Sequence, residues 1–333
     1  MKKILFCVIA LLLLAVVFTA CGKSEEKVWE ESGMHFVAEG DICTLLKYTG
    51  DASELTIPAK SKGYSVTVIA DSAFADNATL KRVTVSDGVV SIEREAFKGA
   101  SSLQSIQIAD SVLSIDRGAF SGCTSLSAVR LPTSLAKISE SLFEGCISLA
   151  SLEIPQEVAY VGEGAFRSCL SLLTVELPGG TTHIGNAAFV GCISLVSVNL
   201  GDWVTGIAAD TFANCHALLS VSGMKRVRTI GNGAFQNCRS LQDFVMPSVL
   251  LSVDEDAFAG CASLHTVYFT RPYDHRGEPT AVSIRENAFK NCTSLVNVTV
   301  RNSGGAERDA CLSITEEGNG ALFSASYSYP AAS

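Results

Sequence analysis

Charge is scarce in this chain of 333 residues. Only 18% of its residues are Asp, Glu, Lys or Arg, and the basic ones are outnumbered, 25 against 34. The resulting net charge of −9 argues against nucleic acid or an anionic membrane face as a partner. Low charge does not mean disorder here, because hydrophobic residues make up 47% of the chain and can bury a core. Catalytic patterns are missing as well. His35, His183, His216, His265 and His275 fall in five different segments, and neither H-E-x-x-H nor G-x-S-x-G occurs. There is no C-x-x-C pair to frame a thiolate metal site. The one long apolar run, Ile4 to Phe18, is short for a membrane span. These absences predict a protein with no enzymatic chemistry, no cofactor and no metal.

That run follows Lys2 and Lys3, as the apolar part of a bacterial export signal does. Phe18-Thr19-Ala20-Cys21 and the polar stretch Gly22 to Lys27 come next. The sequence around Cys21 resembles a lipobox, with Phe18 where Leu is usual. The resemblance implies cleavage before Cys21 and diacylglycerol on its thiol, which would anchor the chain to a bilayer without spanning it. Residues 1–20 are therefore expected to be a signal peptide.

An aromatic anchor then recurs every 23 residues, at Phe74, Phe97, Phe120, Phe143, Phe166, Phe189, Phe212, Phe235 and Phe258, with Phe289 following after 31. Fixed self-similarity of this length is the mark of a solenoid. Six residues after each Phe stands Leu, from Leu80 to Leu295, and five before it stands Ile or Val, from Ile69 to Ile284. Such columns must point inward, because one short unit buries its apolar face only against its neighbours. Alternation such as Val129-Arg130-Leu131 predicts a short strand, and Pro132, Pro155, Pro178 and Pro247 end it at a corner. The Ala-Phe segment is expected to form one or two helical turns, with acidic residues such as Glu95 and Asp210 at its start and Gly or Asn closing it. The predicted fold class is an α/β repeat solenoid of 23-residue units with short strands and short helical turns.

The shared pattern A-F-x-G-C-x-S-L-x-x-V-x-L-P resembles the BspA-type (treponemal-type) leucine-rich repeat. The resemblance spans residues 51–300. It implies an exported or cell-surface protein of a host-associated microbe, with binding to host matrix proteins or other cells as its role. Residues 21–50 read as a lipid-anchored tether and an N-terminal capping hairpin turning at Glu39-Gly40-Asp41. Residues 301–333 read as a C-terminal cap and tail, the stretch after Ala321 being loosely held.

Of twelve cysteines, eight stand three residues after a repeat Phe: Cys123, Cys146, Cys169, Cys192, Cys215, Cys238, Cys261 and Cys292. Stacked side chains pointing in parallel do not turn towards each other as a disulfide requires. Asn77 and Ala100 fill the same slot in the first two units, so buried free thiols are expected. Cys215-His216 places a core slot beside a turn, which does not make a nucleophile and its base. Asp254-Glu255-Asp256 reads as a solvated start of the Phe258 segment.

What remains is surface. The strand column ten after each Phe is polar and varied, with Arg130, Glu153 and Glu176 in the middle and Tyr268 near the end. Trp203 stands on a corner where other units carry Gly, Ser, Glu or Arg, and extra residues within Arg271–Thr280 add Tyr273. Exposed aromatics and arginines anchor interfaces, which makes Trp203, Arg226, Arg228, Tyr268 and Tyr273 the candidate partner-binding residues. The sequence thus predicts a lipid-anchored protein at the outer membrane or cell surface, an adhesin binding a host matrix or cell-surface protein. The alternative is a periplasmic or envelope scaffold that binds a partner of the same cell.

Overall fold

The computed structural model describes residues 26–273, 277–301 and 307–330. It is a coil of repeats around one continuous core, in which the column residues predicted to point inward are buried. Two columns of short parallel strands run along it. In the first column, Glu54–Ile57 pairs with Arg82–Val85, then Ser105–Ile108 and Ala128–Arg130. After a lapse at residues 151–153, where no strand forms, it resumes at Thr174–Glu176, breaks again between Ser220–Ser222 and Asp243–Val245, and ends at Ser326–Ser328. The second column consists mostly of two-residue strands, such as Ser91–Ile92 and Tyr160–Val161, each ending on the inward Ile or Val. Burial alternates along the first-column strands, as in Arg82–Val85, where Val83 and Val85 point in. Pleating explains this: successive side chains leave a strand on opposite faces.

The segment around each Phe departs from the helical turns expected of it. It is a run of hydrogen-bonded turns, and the only helices among the described residues are Arg308–Cys311 and Gly320–Ser324, near the C-terminus. The residues two before and two after the Phe adopt left-handed backbone, for example Glu95 (φ 56°) and Gly99 (φ 69°) around Phe97. An α-helix needs one hand throughout, so that every N–H reaches back along the chain. Alternating hand instead sends every second N–H sideways. Glu95, Phe97 and Gly99 donate to Arg117, Ala119 and Ser121 of the next unit at 2.8–3.0 Å, while Ala96, Lys98 and Ala100 donate within their own turn. These turns therefore form a third ladder between units. The acidic residues before each Phe, Asp254 to Asp256 included, do not start helices, and Glu95, Asp210 and Asp256 occupy left-handed positions.

This ladder holds the phenylalanines face to face. From Phe74 to Phe289 successive ring centroids lie 4.6–5.6 Å apart. Beside the rings, each ladder cysteine is buried and reduced. Its thiol donates to the carbonyl of the Phe one unit earlier, as from Cys123 to Phe97 at 3.1 Å. The expected buried free thiols are thus present, and each also occupies a lone pair on a buried carbonyl.

Both ends of the stack are closed by different chemistry. At the start, strands β1 (Lys27–Glu31), β2 (Met34–Glu39) and β3 (Ile42–Tyr48) form an antiparallel meander, and β3 continues in parallel into Tyr64–Ile69. Tyr48 lays its ring over Phe74 at 5.4 Å. At the other end, Ile314 is followed five residues later by Asn319, where every earlier unit has Phe. Asn319 is fully buried. Its Oδ1 accepts the N–H of Phe289 at 2.9 Å, and its Nδ2 donates to the carbonyls of Arg285 and Thr315 at 2.7 Å each. A side-chain oxygen thus accepts the Phe N–H that a backbone carbonyl of the next unit accepts elsewhere, as Ala119 does for Phe97. Residues 321–330 of the tail expected to be loosely held are ordered by this partial unit. Ser326–Ser328 pairs in parallel with Asn297–Thr299, and the Tyr327 hydroxyl donates to Leu322.

Candidate interaction surface

Each coil turns a corner between its two strands, and Trp203 sits on such a corner. The turn depends on Gly201, whose φ is +78° and where a Cβ would lie 2.5 Å from the Pro178 carbonyl. The next unit places Arg226 23 residues on, directly against Trp203, with its guanidinium 3.8 Å from the ring centroid. One residue earlier in each unit, Lys225 pairs with Asp202 at 2.9 Å. Trp203 nevertheless stays 50% exposed. Arg and Trp at this distance attract through the ring quadrupole, so the indole is held in place with area still free for a partner. The sequence offered both residues. Their pairing follows from the 23-residue spacing, which also predicts the Asp202–Lys225 pair that the sequence reading passed over.

The other candidates are distributed. Arg228 is exposed at the foot of Thr229–Ile230, and its N–H donates to Thr205. Tyr268 lies in the first strand column between Val245 and Thr299, with the Arg301 guanidinium 5.4 Å from its ring. Tyr273 is 55% exposed and bridges to Pro279 across the inserted loop. Trp203 and Arg226 thus form a contact pair, while Tyr268 and Tyr273 belong to the later units. Cys21, His275 and Arg276 lie outside the described residues.

A shallow depression of about 330 Å³ opens on the first strand column between Ser105–Gln107, Ser127–Arg130 and Ser151–Glu153. Small residues at Ser105, Ser127, Ala128 and Ser151 make it. Arg130 lies on its rim, donating to the Ile108 carbonyl and to Asp110 at 2.9 Å. The Thr133 N–H and the Arg130 guanidinium hold the Asp110 carboxyl below its usual range. This depression suits side chains of a partner better than an enclosed small molecule.

Reactive groups are tied up or dispersed. Cys215 donates its thiol to the Phe189 carbonyl at 3.2 Å, and burial raises its pKa well above the ordinary value, so His216 beside it has no thiolate to serve. Among the described residues no three His, Cys, Asp or Glu side chains gather as a metal site. No helix among them is long and apolar enough to cross a membrane.

A solenoid with three inter-unit ladders and a varied, shallow outer surface is a repeat scaffold. A family model described as "BspA type Leucine rich repeat region" matches it in six copies, over residues 47–173, 160–278 and 278–313. The chain belongs to the BspA-type leucine-rich repeat family. Solved structures similar to it include a T. pallidum leucine-rich repeat protein, 26% identical, with a TM-score of 0.48 over 65% of this chain and 91% of that one. A leucine-rich cell surface protein of Faecalibacterium prausnitzii is 23% identical, covering 87% of this chain and 98% of that one at a TM-score of 0.43. A leucine-rich repeat protein of Eubacterium ventriosum is 17% identical, covering 92% and 85% at a TM-score of 0.49. No curated protein matches the chain.

Proposed function

We propose that this is a lipid-anchored protein of the bacterial cell surface that binds another macromolecule, a host matrix or cell-surface protein, and so acts as an adhesin. The observation that carries this reading is the Trp203–Arg226 pair, half-exposed and braced on a corner that carries Gly, Ser, Glu or Val in other units. Packing does not require an indole there, since Gly, Ser and Glu hold the same corner in other units. Binding proceeds by surface complementarity, with Trp203 and Arg226 as anchors and Tyr268 and Tyr273 extending the contact towards the later units. Three strand spacings separate the Trp203 and Tyr268 units, about 15 Å, which a standard interface spans easily.

The test is capture of immobilised host matrix proteins by the intact chain and by a Trp203→Ala, Tyr273→Ala double variant. The variant should melt like the wild type and bind more than tenfold more weakly, a loss of about 1.4 kcal/mol or more. Wild-type affinity in a correctly folded variant would move the site elsewhere.

A further inference from the structure

The outer face of the second strand column changes character in the middle of the solenoid. Other units place Ser91, Ser114, Ser252 and Ser283 there, whereas Lys137, Tyr160, His183 and Gly206 follow one another in the central ones. Each of these four precedes an inward Ile or Val on a two-residue strand, so it faces outward. Tyr160 and His183 stack with ring centroids 4.6 Å apart and planes 9° apart, and both are exposed. The far face of the His183 ring is turned towards Gly206, which has no side chain to cover it.

The backbone is open at the same place. Lys137–Ile138, Tyr160–Val161 and His183–Ile184 make one sheet, and Gly206–Ile207 begins another. In neighbouring units the residues flanking each strand donate to the unit before, Thr182 to Ala159, Gly185 to Val161, Arg228 to Thr205 and Gly231 to Ile207, all at 2.8–2.9 Å. The Thr205 and Ala208 N–H groups reach no backbone carbonyl. The column has an earlier interruption, before Lys137, and there the Ser139 hydroxyl donates across it to the Ile115 carbonyl. Ala208 stands where that unit has Ser139 and has no hydroxyl to send. Two backbone donors are therefore left for water or a ligand beside the bare ring.

We propose that this face binds an acidic glycan. A pyranose ring lies over Gly206 with its C–H side on His183, because an aromatic face is negative and attracts polarised C–H groups. The rest of the surroundings, Thr182, Thr205 and Thr229, offer hydroxyls and backbone in place of apolar side chains, which suits a hydroxyl-rich ring better than an apolar protein anchor. Thr229 leans over the slot, its Oγ1 2.7 Å from where a Cβ on Gly206 would sit. Charge selects an acid. Six and seven residues before the Phe, no unit from Phe97 to Phe258 carries Asp or Glu, in a chain with 34 of them. Arg228, beside Thr229, is exposed, and its guanidinium has no carboxylate, carbonyl or ring as a partner among the described residues. A sugar carboxylate can take two parallel hydrogen bonds from it. Lys137 stands at the other end of the row, four strand spacings or about 19 Å from Thr229, so several linked rings fit between the two cations. This proposal rests neither on the lipid anchor nor on protein capture at the Trp203 corner.

The test is titration of the full-length chain with hyaluronan fragments, oligogalacturonate and sialyllactose, with cello-oligosaccharides and lactose as neutral counterparts, read by saturation-transfer NMR. At least one acidic sugar should bind saturably and more tightly than the neutral ones, with transfer to its ring C–H protons. His183→Ala and Arg228→Gln should each weaken that binding at least tenfold without lowering the melting temperature. Gly206→Thr, which puts the side chain of the next unit into the slot, should abolish it. The Trp203→Ala, Tyr273→Ala variant should bind the sugar as the wild type does, whatever it does to protein capture. No saturable binding of any acidic sugar, equal binding of the neutral ones, or affinity unchanged by His183→Ala and Arg228→Gln would overturn the proposal.

Discussion

At the level of single residues, the buried thiols have a chemical consequence. Burial pushes Cys123, Cys192 and Cys292 up to about 12, and it takes the other ladder cysteines well above the ordinary thiol value near 9. A pKa raised on folding means that the folded chain holds its protons more tightly than the unfolded one. The stabilisation is complete below the unfolded pKa and is lost as pH rises through the folded value. Melting temperature should therefore fall between pH 9 and 12. Replacing Cys146, Cys169 and Cys215 with Ala should flatten that fall. Thiol reagents should leave the eight ladder positions unmodified in the native protein and react with all of them after unfolding, since thiolate formation and access are both blocked. Mass spectrometry reads this directly, and disulfide-linked peptides would contradict it.

At the scale of the repeat unit, stability lies in contacts between neighbours, as it must in a solenoid. Leu172 fills the core of a central unit and is 1% exposed. Leu172→Ala should cost about 2–5 kcal/mol through lost burial and a cavity, measured by denaturant unfolding. The last unit fails differently. Asn319→Leu keeps the branched shape but removes three hydrogen bonds, leaving the N–H of buried Phe289 without its acceptor. An orphaned buried group costs about 1–3 kcal/mol. Hydrogen exchange should show residues 285–300 losing protection while units from Phe97 to Phe212 keep theirs. Uniform protection would show that Asn319 does not close the stack.

At the scale of the whole molecule, function depends on where the column is held and which faces are free. If Cys21 carries the anchor, palmitate should label the wild-type chain and not Cys21→Ala. Protease added to intact cells should then digest the solenoid. Protection until the outer membrane is broken would favour the envelope scaffold instead.

Much of this was legible in the sequence because a 23-residue period fixes which residues stack. The Phe, Leu, Ile and Cys columns are buried as their spacing predicts, since a short unit has nowhere else to put them. Spacing also makes Trp203 and Arg226 neighbours. The backbone hand around each Phe was not legible. Ala-Phe-x-Gly suits a helical turn locally, and only the demand for N–H acceptors in the adjacent unit turns it into a sideways ladder. The close at Asn319 was hidden for the same reason. An Asn in a Phe slot looks like the end of the repeat until the Phe289 N–H and the Arg285 carbonyl are seen converging on it. Local propensity acts along the chain, whereas these choices satisfy backbone groups 22 to 34 residues away, and only the assembled coil brings such groups within hydrogen-bonding distance.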